Sequence, residues 1–310
     1  MDWTETPAEL ARARAEQPML VPAADGLLRA IFTPPAPEAP LAGMCVVMPG
    51  RMRWMPVRGQ VRAARTLAAR GFACLRFDYH GYGESEGAPV RTDRDSPCGG
   101  DIVGAIRYLR HTRGQHTFVL WGRCFDSLSA LAAFADEADA IAGLLYIAAP
   151  ILETHVEDWR ARNAPASANG LIRRGWTALR GLRASAGEAR RATPAVAPDF
   201  ARYFAALVRS RARALFIYGE QDPLYEEFRA AERLLFANLG EEARGRIEVE
   251  IWPGCIHHPE TVARECELLD RMQSWVETLH PHSARRRDSE SCAERQSALA
   301  GARATHRARA

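Results

Sequence analysis

The chain has 310 residues, of which 47% are hydrophobic and 25% are charged. This composition is typical of a folded globular protein, and it excludes wholesale disorder, collagen-like structure and a small disulfide scaffold. The net charge of +3 is too small to indicate nucleic-acid binding, and no apolar run approaches the roughly 20 residues that span a bilayer.

The N-terminal segment, MDWTETPAELARARAEQ, carries acids early and has no apolar core, so we do not expect a secretory signal. The cysteines are odd in number, scattered, and form no CxxC pair; they are Cys45, Cys74, Cys98, Cys124, Cys255, Cys266 and Cys292. This pattern favours reduced thiols and predicts a cytoplasmic location.

From residue 44 onward, short apolar runs alternate with amphipathic stretches. The predicted strands are 44–48, 72–77, 117–121, 144–148, 214–218 and 247–251. The predicted helices between them are 60–70, 101–110 and 127–135. Strands that are apolar on both faces and alternate with helices indicate a parallel sheet covered on both sides. The sequence therefore predicts a doubly wound, mostly parallel α/β fold.

The alternation breaks after Pro150. We expect residues 151–213 to form a helical cap inserted into a core made of 1–150 and 214–280, and residues 281–310 to be a disordered tail. Residues 160–213 hold twelve arginines against two acids. Because the chain contains no lysine, two interpretations stay open. These arginines either steer an anionic substrate or form a solvated helix face under a compositional bias.

The segment TFVLWGRCFDSL, residues 117–128, predicts a strand that enters a very short turn and leaves as a helix. A Gly-x-Ser-x-Gly motif in that context is a nucleophile elbow, which holds the central side chain above the carboxyl end of the sheet. Here the pattern is Gly122-x-Cys124-x-Asp126. A thiol stands in place of the hydroxyl, and an aspartate in place of the second glycine.

Three further segments accompany the elbow in chain order. They are FDYHGYGESEG at 77–87, IYGEQD at 217–222 and WPGCIH at 252–257. With the elbow, they resemble the α/β-hydrolase superfamily over about residues 25–280, including capped members that carry D-x-x-G-x-G-x-S, a strand-end acid and P-G-x-x-H. The resemblance implies an α/β-hydrolase fold.

The resemblance also implies a catalytic triad of Cys124, His257 and Asp222. A free thiol has a pKa near ~8.5, which a helix N-terminus and an imidazolium both lower. His257 is expected to take the thiol proton and return it to the leaving group. Asp222 is expected to fix the imidazole tautomer.

Two backbone N–H groups are expected to form the oxyanion hole. One belongs to Phe125, immediately after the nucleophile, and the other to Arg51 or Met52 in the loop after the first parallel strand. No metal cluster or nucleotide-binding loop is predicted, so no cofactor is expected.

Each assignment has an alternative. Cys124 could be a packed apolar residue, and Ser127 could be the nucleophile instead. His258 adjoins His257, and Asp222 could be a turn residue. Asp126 could be a helix N-cap or a carboxylate that opposes thiolate formation.

A cysteine at the elbow resembles dienelactone hydrolases, polyhydroxyalkanoate synthases and some thioesterases and acyltransferases. We therefore expect hydrolysis or transfer of an ester or thioester through an S-acyl enzyme. The partner would be a small acyl compound, with coenzyme A or a carrier protein as one source, and not nucleic acid. Two alternatives stay open: a non-catalytic ligand-binding homologue, and a lyase or isomerase on the same scaffold. The sequence gives no oligomeric state.

Overall fold

The computed structural model describes residues 7–50, 58–88, 97–152, 196–236, 239–257, 259 and 261–280. Within these residues, eight strands form one sheet in the order β1-β2-β4-β3-β5-β6-β7-β8. They are β1 (Gln17–Ala23), β2 (Gly26–Thr33), β3 (Cys45–Gly50), β4 (Ala73–Asp78), β5 (Phe118–Arg123), β6 (Ile141–Ile147), β7 (Arg213–Gly219) and β8 (Ile247–Trp252). The pairings β1–β2 and β2–β4 are antiparallel, and every other pairing in this sheet is parallel.

Helices connect these strands and cover both faces of the sheet. They are α1 (Pro7–Ala15), α2 (Gly59–Ala69), α3 (Gly99–Arg113), α4 (Phe125–Glu137), α5 (Pro198–Arg209), α6 (Tyr225–Leu235), α7 (Glu241–Arg244) and α8 (Val262–Glu277). Apolar residues of α2 and α8 pack on one face, and those of α3, α4, α5 and α6 pack on the other. This arrangement confirms the predicted doubly wound α/β fold.

Burial on both faces explains why the parallel strands are continuous apolar runs. In β3, Cys45 and Val47 belong to the core beneath α3 and α4, whereas Val46 and Met48 belong to the core beneath α2 and α8. Successive side chains of a strand point to opposite faces, so a strand covered on both sides needs an apolar residue at every position.

The predicted parallel strands and helices lie within a few residues of the observed ones, but the N-terminal hairpin was not predicted. β1 and β2 pair in register across a tight turn that ends at Gly26, which has a φ of 133°. Asp25-Gly26 is a common hairpin turn sequence and was the available signal. Pro18 and Pro22 obscured the strand pattern, because proline is tolerated only at a sheet edge, where β1 lies.

The predicted cap falls mostly on residues 153–195, which lie outside the described residues, as does the predicted disordered tail at 281–310. At the base of this region, Leu152 forms an isolated antiparallel bridge with Val196. The helix α5 follows and buries Phe200, Phe204 and Leu207 in the core shared with α4. Among the helices that the structure describes, none has the length and apolar character needed to cross a membrane.

Candidate active site

The turn between β5 and α4 holds Cys124 in a strained conformation. Its φ is 57° and its ψ is −131°, a region that residues other than glycine rarely occupy. The N–H of Cys124 donates to the carbonyl of Ile147 at 2.8 Å, and its own carbonyl accepts from the N–H of Ser127 at 3.0 Å. These hydrogen bonds, one of them to the adjoining strand, thus hold Cys124 in its strained conformation at the position predicted for a nucleophile.

This sharp turn is possible because Gly122 has no side chain, which lets the neighbouring backbone pack closely against it. A Cβ added at Gly122 would lie 2.5 Å from Ser127 Cα and 3.0 Å from the carbonyl oxygen of Leu145. Both neighbours are backbone atoms, which cannot rotate aside. The first glycine of the motif therefore permits α4 to start directly above β5.

Ser127, the alternative nucleophile, is fully buried. Its hydroxyl accepts a hydrogen bond from the N–H of Ile147 at 3.0 Å. A serine that binds a strand backbone inside the core has a structural role and is not exposed to a substrate.

The thiol of Cys124 lies beside the imidazole of His257. The Sγ to Nε2 distance is 2.9 Å, and both residues are half-buried. His257 follows β8 and is 133 residues from Cys124 in the sequence. A thiol and an imidazole at this distance can share a proton, giving either a neutral pair or a thiolate–imidazolium pair.

Asp222 follows β7, and its contacts hold the backbone of the loop that carries His257. Its Oδ1 accepts from the N–H groups of His257 at 2.7 Å and Ile256 at 2.8 Å. Its Oδ2 accepts from the N–H of Gly219 at 2.6 Å, and its side chain is buried. The predicted acid therefore lies at the end of its strand and joins the strand to the histidine loop.

Two residues of this site were not singled out from the sequence. Cys255 Sγ lies 3.1 Å from Asp222 Oδ1. Arg123, between Gly122 and Cys124, binds Glu265 and the backbone carbonyls of the histidine loop. The position of Arg123 inside the elbow motif was a signal in the sequence, but its partners lie more than 130 residues away.

The predicted oxyanion groups are described only in part. Phe125 is the first residue of α4, so its N–H belongs to the helix N-terminus beside Cys124. Arg51 and Met52 fall outside the described residues, as does His258, the alternative to His257.

Asp126 is the second residue of α4, and Cys124 occupies the N-cap position that Asp126 was considered for. The Asp126 carboxylate lies close enough to influence the fully buried Tyr79. Burial raises the pKa of the Tyr79 phenol well above its ordinary value, and the charge of Asp126 adds to that increase. Tyr79 therefore remains a neutral group beneath the N-terminus of α4.

The two cysteines that lie on the described strands are less exposed than Cys124, which lies in the turn. Cys45 and Cys74 are fully buried, and burial raises the pKa of each thiol well above its ordinary value. Because the thiolate is the nucleophilic form, these two residues are expected to be inert. No group of three or more histidine, cysteine or acidic residues that could hold a metal ion occurs in the part of the chain that the structure describes.

A sequence model of the family described as serine aminopeptidase, S33, matches residues 41–200. No curated protein sequence matches the chain.

Solved structures with a similar fold include an esterase from Pyrococcus furiosus, with a TM-score of 0.55 and 13% identity, covering 89% of this chain and 95% of the esterase. An esterase domain from Rhodothermus marinus has a TM-score of 0.53 and 14% identity, covering 84% and 98%. An α/β serine hydrolase without a lid, from Xanthomonas campestris, has a TM-score of 0.50 and 18% identity, covering 87% and 94%. At these identities, the similarity to the solved structures shows the fold alone.

Proposed function

Because the chain belongs to the serine aminopeptidase S33 family within the α/β-hydrolase superfamily, we propose that it hydrolyses or transfers the acyl group of an ester or thioester. The acyl group would be carried on Cys124 as a covalent thioester. The family is named for a serine nucleophile, whereas this chain carries a cysteine at the elbow.

The distance of 2.9 Å between Cys124 Sγ and His257 Nε2 carries this proposal. At that separation, the imidazole can accept the thiol proton, and the resulting imidazolium stabilises the thiolate. The N-terminus of α4 beside the sulfur also favours the anion.

The reaction proceeds in two steps, the acylation of Cys124 and its deacylation. In the first, Sγ forms a bond to the acyl carbon, its proton passes to His257 Nε2, and the carbon–oxygen or carbon–sulfur bond to the leaving group breaks. His257 returns that proton to the leaving group. In the second, water or another acceptor attacks the S-acyl carbon, gives a proton to His257, and releases the acyl product as the thioester bond breaks. The proton then returns to Sγ.

Two oxyanion-hole donors and one carboxylate are proposed to support these steps. The Phe125 N–H is the proposed donor to the oxyanion of the tetrahedral intermediate, together with Arg51 or Met52. Asp222 is the proposed third member of the triad. Its hydrogen bond from the His257 N–H favours a fixed position of the histidine, and its charge balances the imidazolium.

A thiol nucleophile favours thioesters and activated esters, because the intermediate is itself a thioester of similar energy. The esterase descriptions of two structural neighbours are compatible with this substrate class. We propose that the natural substrate is a thioester of coenzyme A or of a carrier protein. A free thiol nucleophile also fits the reducing cytoplasm.

The test uses p-nitrophenyl esters of acetate, butyrate and octanoate, and the matching acyl-coenzyme A thioesters. We expect a burst of one p-nitrophenol per protein molecule, and an acyl adduct on the Cys124 peptide by mass spectrometry. Cys124→Ala should lose the adduct and at least about a thousandfold of the turnover, since the covalent route is then closed.

Cys266→Ala is the matched control, because Cys266 is a half-buried thiol on α8. It should leave the burst and the adduct unchanged. An absence of both adduct and turnover over all acyl lengths would contradict the proposal. Cleavage of aminoacyl p-nitroanilides without any ester cleavage would contradict it too, by assigning the chain to amide chemistry.

A further inference from the structure

We infer that Arg123, supported by Glu265, is a positioning residue that holds the imidazole of His257 against the thiol of Cys124. This inference rests on the proposed function, and it identifies a part of the site that the triad does not include.

The Arg123 guanidinium binds three residues, one on α8 and two in the histidine loop. Nη1 donates to both carboxylate oxygens of Glu265, at 2.7 and 2.9 Å. Nη2 donates to the carbonyl of Ile256 at 3.0 Å and to the carbonyl of His257 at 3.3 Å. One planar group thus joins the elbow, the histidine loop and the start of α8.

These contacts close a short ring around the reacting atoms. Arg123 is covalently joined to Cys124, Arg123 Nη2 binds the His257 carbonyl, and the His257 imidazole returns to Cys124 Sγ at 2.9 Å. Asp222 holds the same residue through its N–H at 2.7 Å. The backbone of His257 is therefore fixed at its N–H by Asp222 and at its carbonyl by Arg123.

Burial makes this arrangement specific. The side chain of Arg123 is 10% exposed and that of Glu265 is 6% exposed, so water competes weakly for either group. Glu265 lies in the first turn of α8, where the helix dipole favours a carboxylate. With its charge balanced, the guanidinium is held in the plane that reaches both carbonyls, which a lysine ammonium cannot reproduce.

The experiment measures how fast iodoacetamide alkylates Cys124 at each pH from 5 to 10, with the Cys124 peptide quantified by mass spectrometry. This readout needs no substrate. In the wild-type protein, we expect the midpoint of the rate–pH curve to lie well below that of His257→Ala. Arg123→Met should move the midpoint most of the way toward His257→Ala and lower the rate at pH 7 about tenfold, because the imidazole no longer stays beside the sulfur. Glu265→Gln should give a smaller shift in the same direction.

The matched control is Arg65→Met. Arg65 on α2 forms a similarly buried, bidentate salt bridge with Glu16, which immediately precedes β1. Its Nε lies 3.1 Å from Glu16 Oε1, and its Nη2 lies 3.2 Å from Glu16 Oε2. Its loss should lower the melting temperature but leave the alkylation profile of Cys124 unchanged. A purely structural role of Arg123 would give the same result as this control.

A wild-type profile in Arg123→Met would overturn the inference. If that variant does not fold, Arg123→Lys replaces it, because it keeps the positive charge but cannot reach both carbonyls. A wild-type profile in that variant has the same meaning. Failure of the proposed function looks different: wild-type protein and His257→Ala would then share one profile, whatever Arg123 does.

Discussion

At the scale of single residues, the site depends on backbone atoms that approach one another unusually closely. The elbow holds Cys124 at a φ of 57°, and the helix that follows packs its backbone against Gly122. A side chain on such a turn is held above the strand ends, because neither its own backbone nor its neighbours can relax inward. Substitution at the glycine tests this geometry.

Gly122→Ala should destabilise the protein by about 1–3 kcal/mol, because the added Cβ would lie 2.5 Å from the Ser127 backbone. Urea unfolding measures this loss. Gly245→Ala is the control, since its Cβ would meet only atoms at 3.6 Å or more and its φ is −67°. It should be neutral or slightly stabilising. Equal stability of the two variants would show that the elbow backbone shifts freely.

At the scale of elements, the segment leaving β6 is held by a carboxylate from α6. Glu227 Oε1 accepts from the N–H groups of both Ile151 and Leu152, and all three residues are buried. Leu152 then pairs with Val196, so this anchor lies where the chain leaves and re-enters the core. Two backbone N–H groups depend on one side chain.

Glu227→Ala should cost about 2–4 kcal/mol of unfolding free energy, because it removes a charged acceptor from two buried donors. Glu232→Ala on the same helix is the control. Glu232 forms an exposed pair with Arg229, so its loss should cost less than about 0.5 kcal/mol. Equilibrium denaturation compares the two. A cost at position 227 no larger than at 232 would show that water replaces the carboxylate.

At the scale of the whole molecule, stability depends on two apolar cores that the sheet separates. Cys45 lies in the core beneath α3 and α4, and Cys74 lies in the core beneath α2 and α8. Burial raises the pKa of each thiol well above the ordinary value of a cysteine, so both thiols stay protonated in the folded protein. In the unfolded chain, each ionises near a pH of about 8.5.

The free energy of unfolding should therefore fall as the pH rises above about 8.5. There the unfolded state releases protons that the folded state keeps, and each thiol contributes up to about 1.4 kcal/mol per pH unit. Urea unfolding between pH 7 and 10 measures the slope, which should be shallower in Cys45→Ala/Cys74→Ala. Val47→Ala, which removes apolar contacts from the same core as Cys45 but no ionisable group, should keep the wild-type slope. An unchanged slope in the double variant would contradict this account.

The sequence alone determined the parallel strands, the helices between them and the position of the elbow. These features depend on short-range physics: side-chain alternation, helical spacing and the glycines that a sharp turn needs. The order of the strand-end motifs also placed Cys124, Asp222 and His257 at the ends of β5, β7 and β8, as the structure does. Their catalytic roles stay predictions.

Only the tertiary structure decided which groups meet. Cys124 and His257 are 133 residues apart, and Arg123 and Glu265 are 142 apart. No local pattern encodes either distance, because each depends on how the sheet twists and how α8 packs beside α2. The N-terminal hairpin likewise needed the sheet, since β1 takes its place as an edge strand only once β2 pairs with β4. Local sequence thus specified the elements, and long-range packing specified the contacts between their ends.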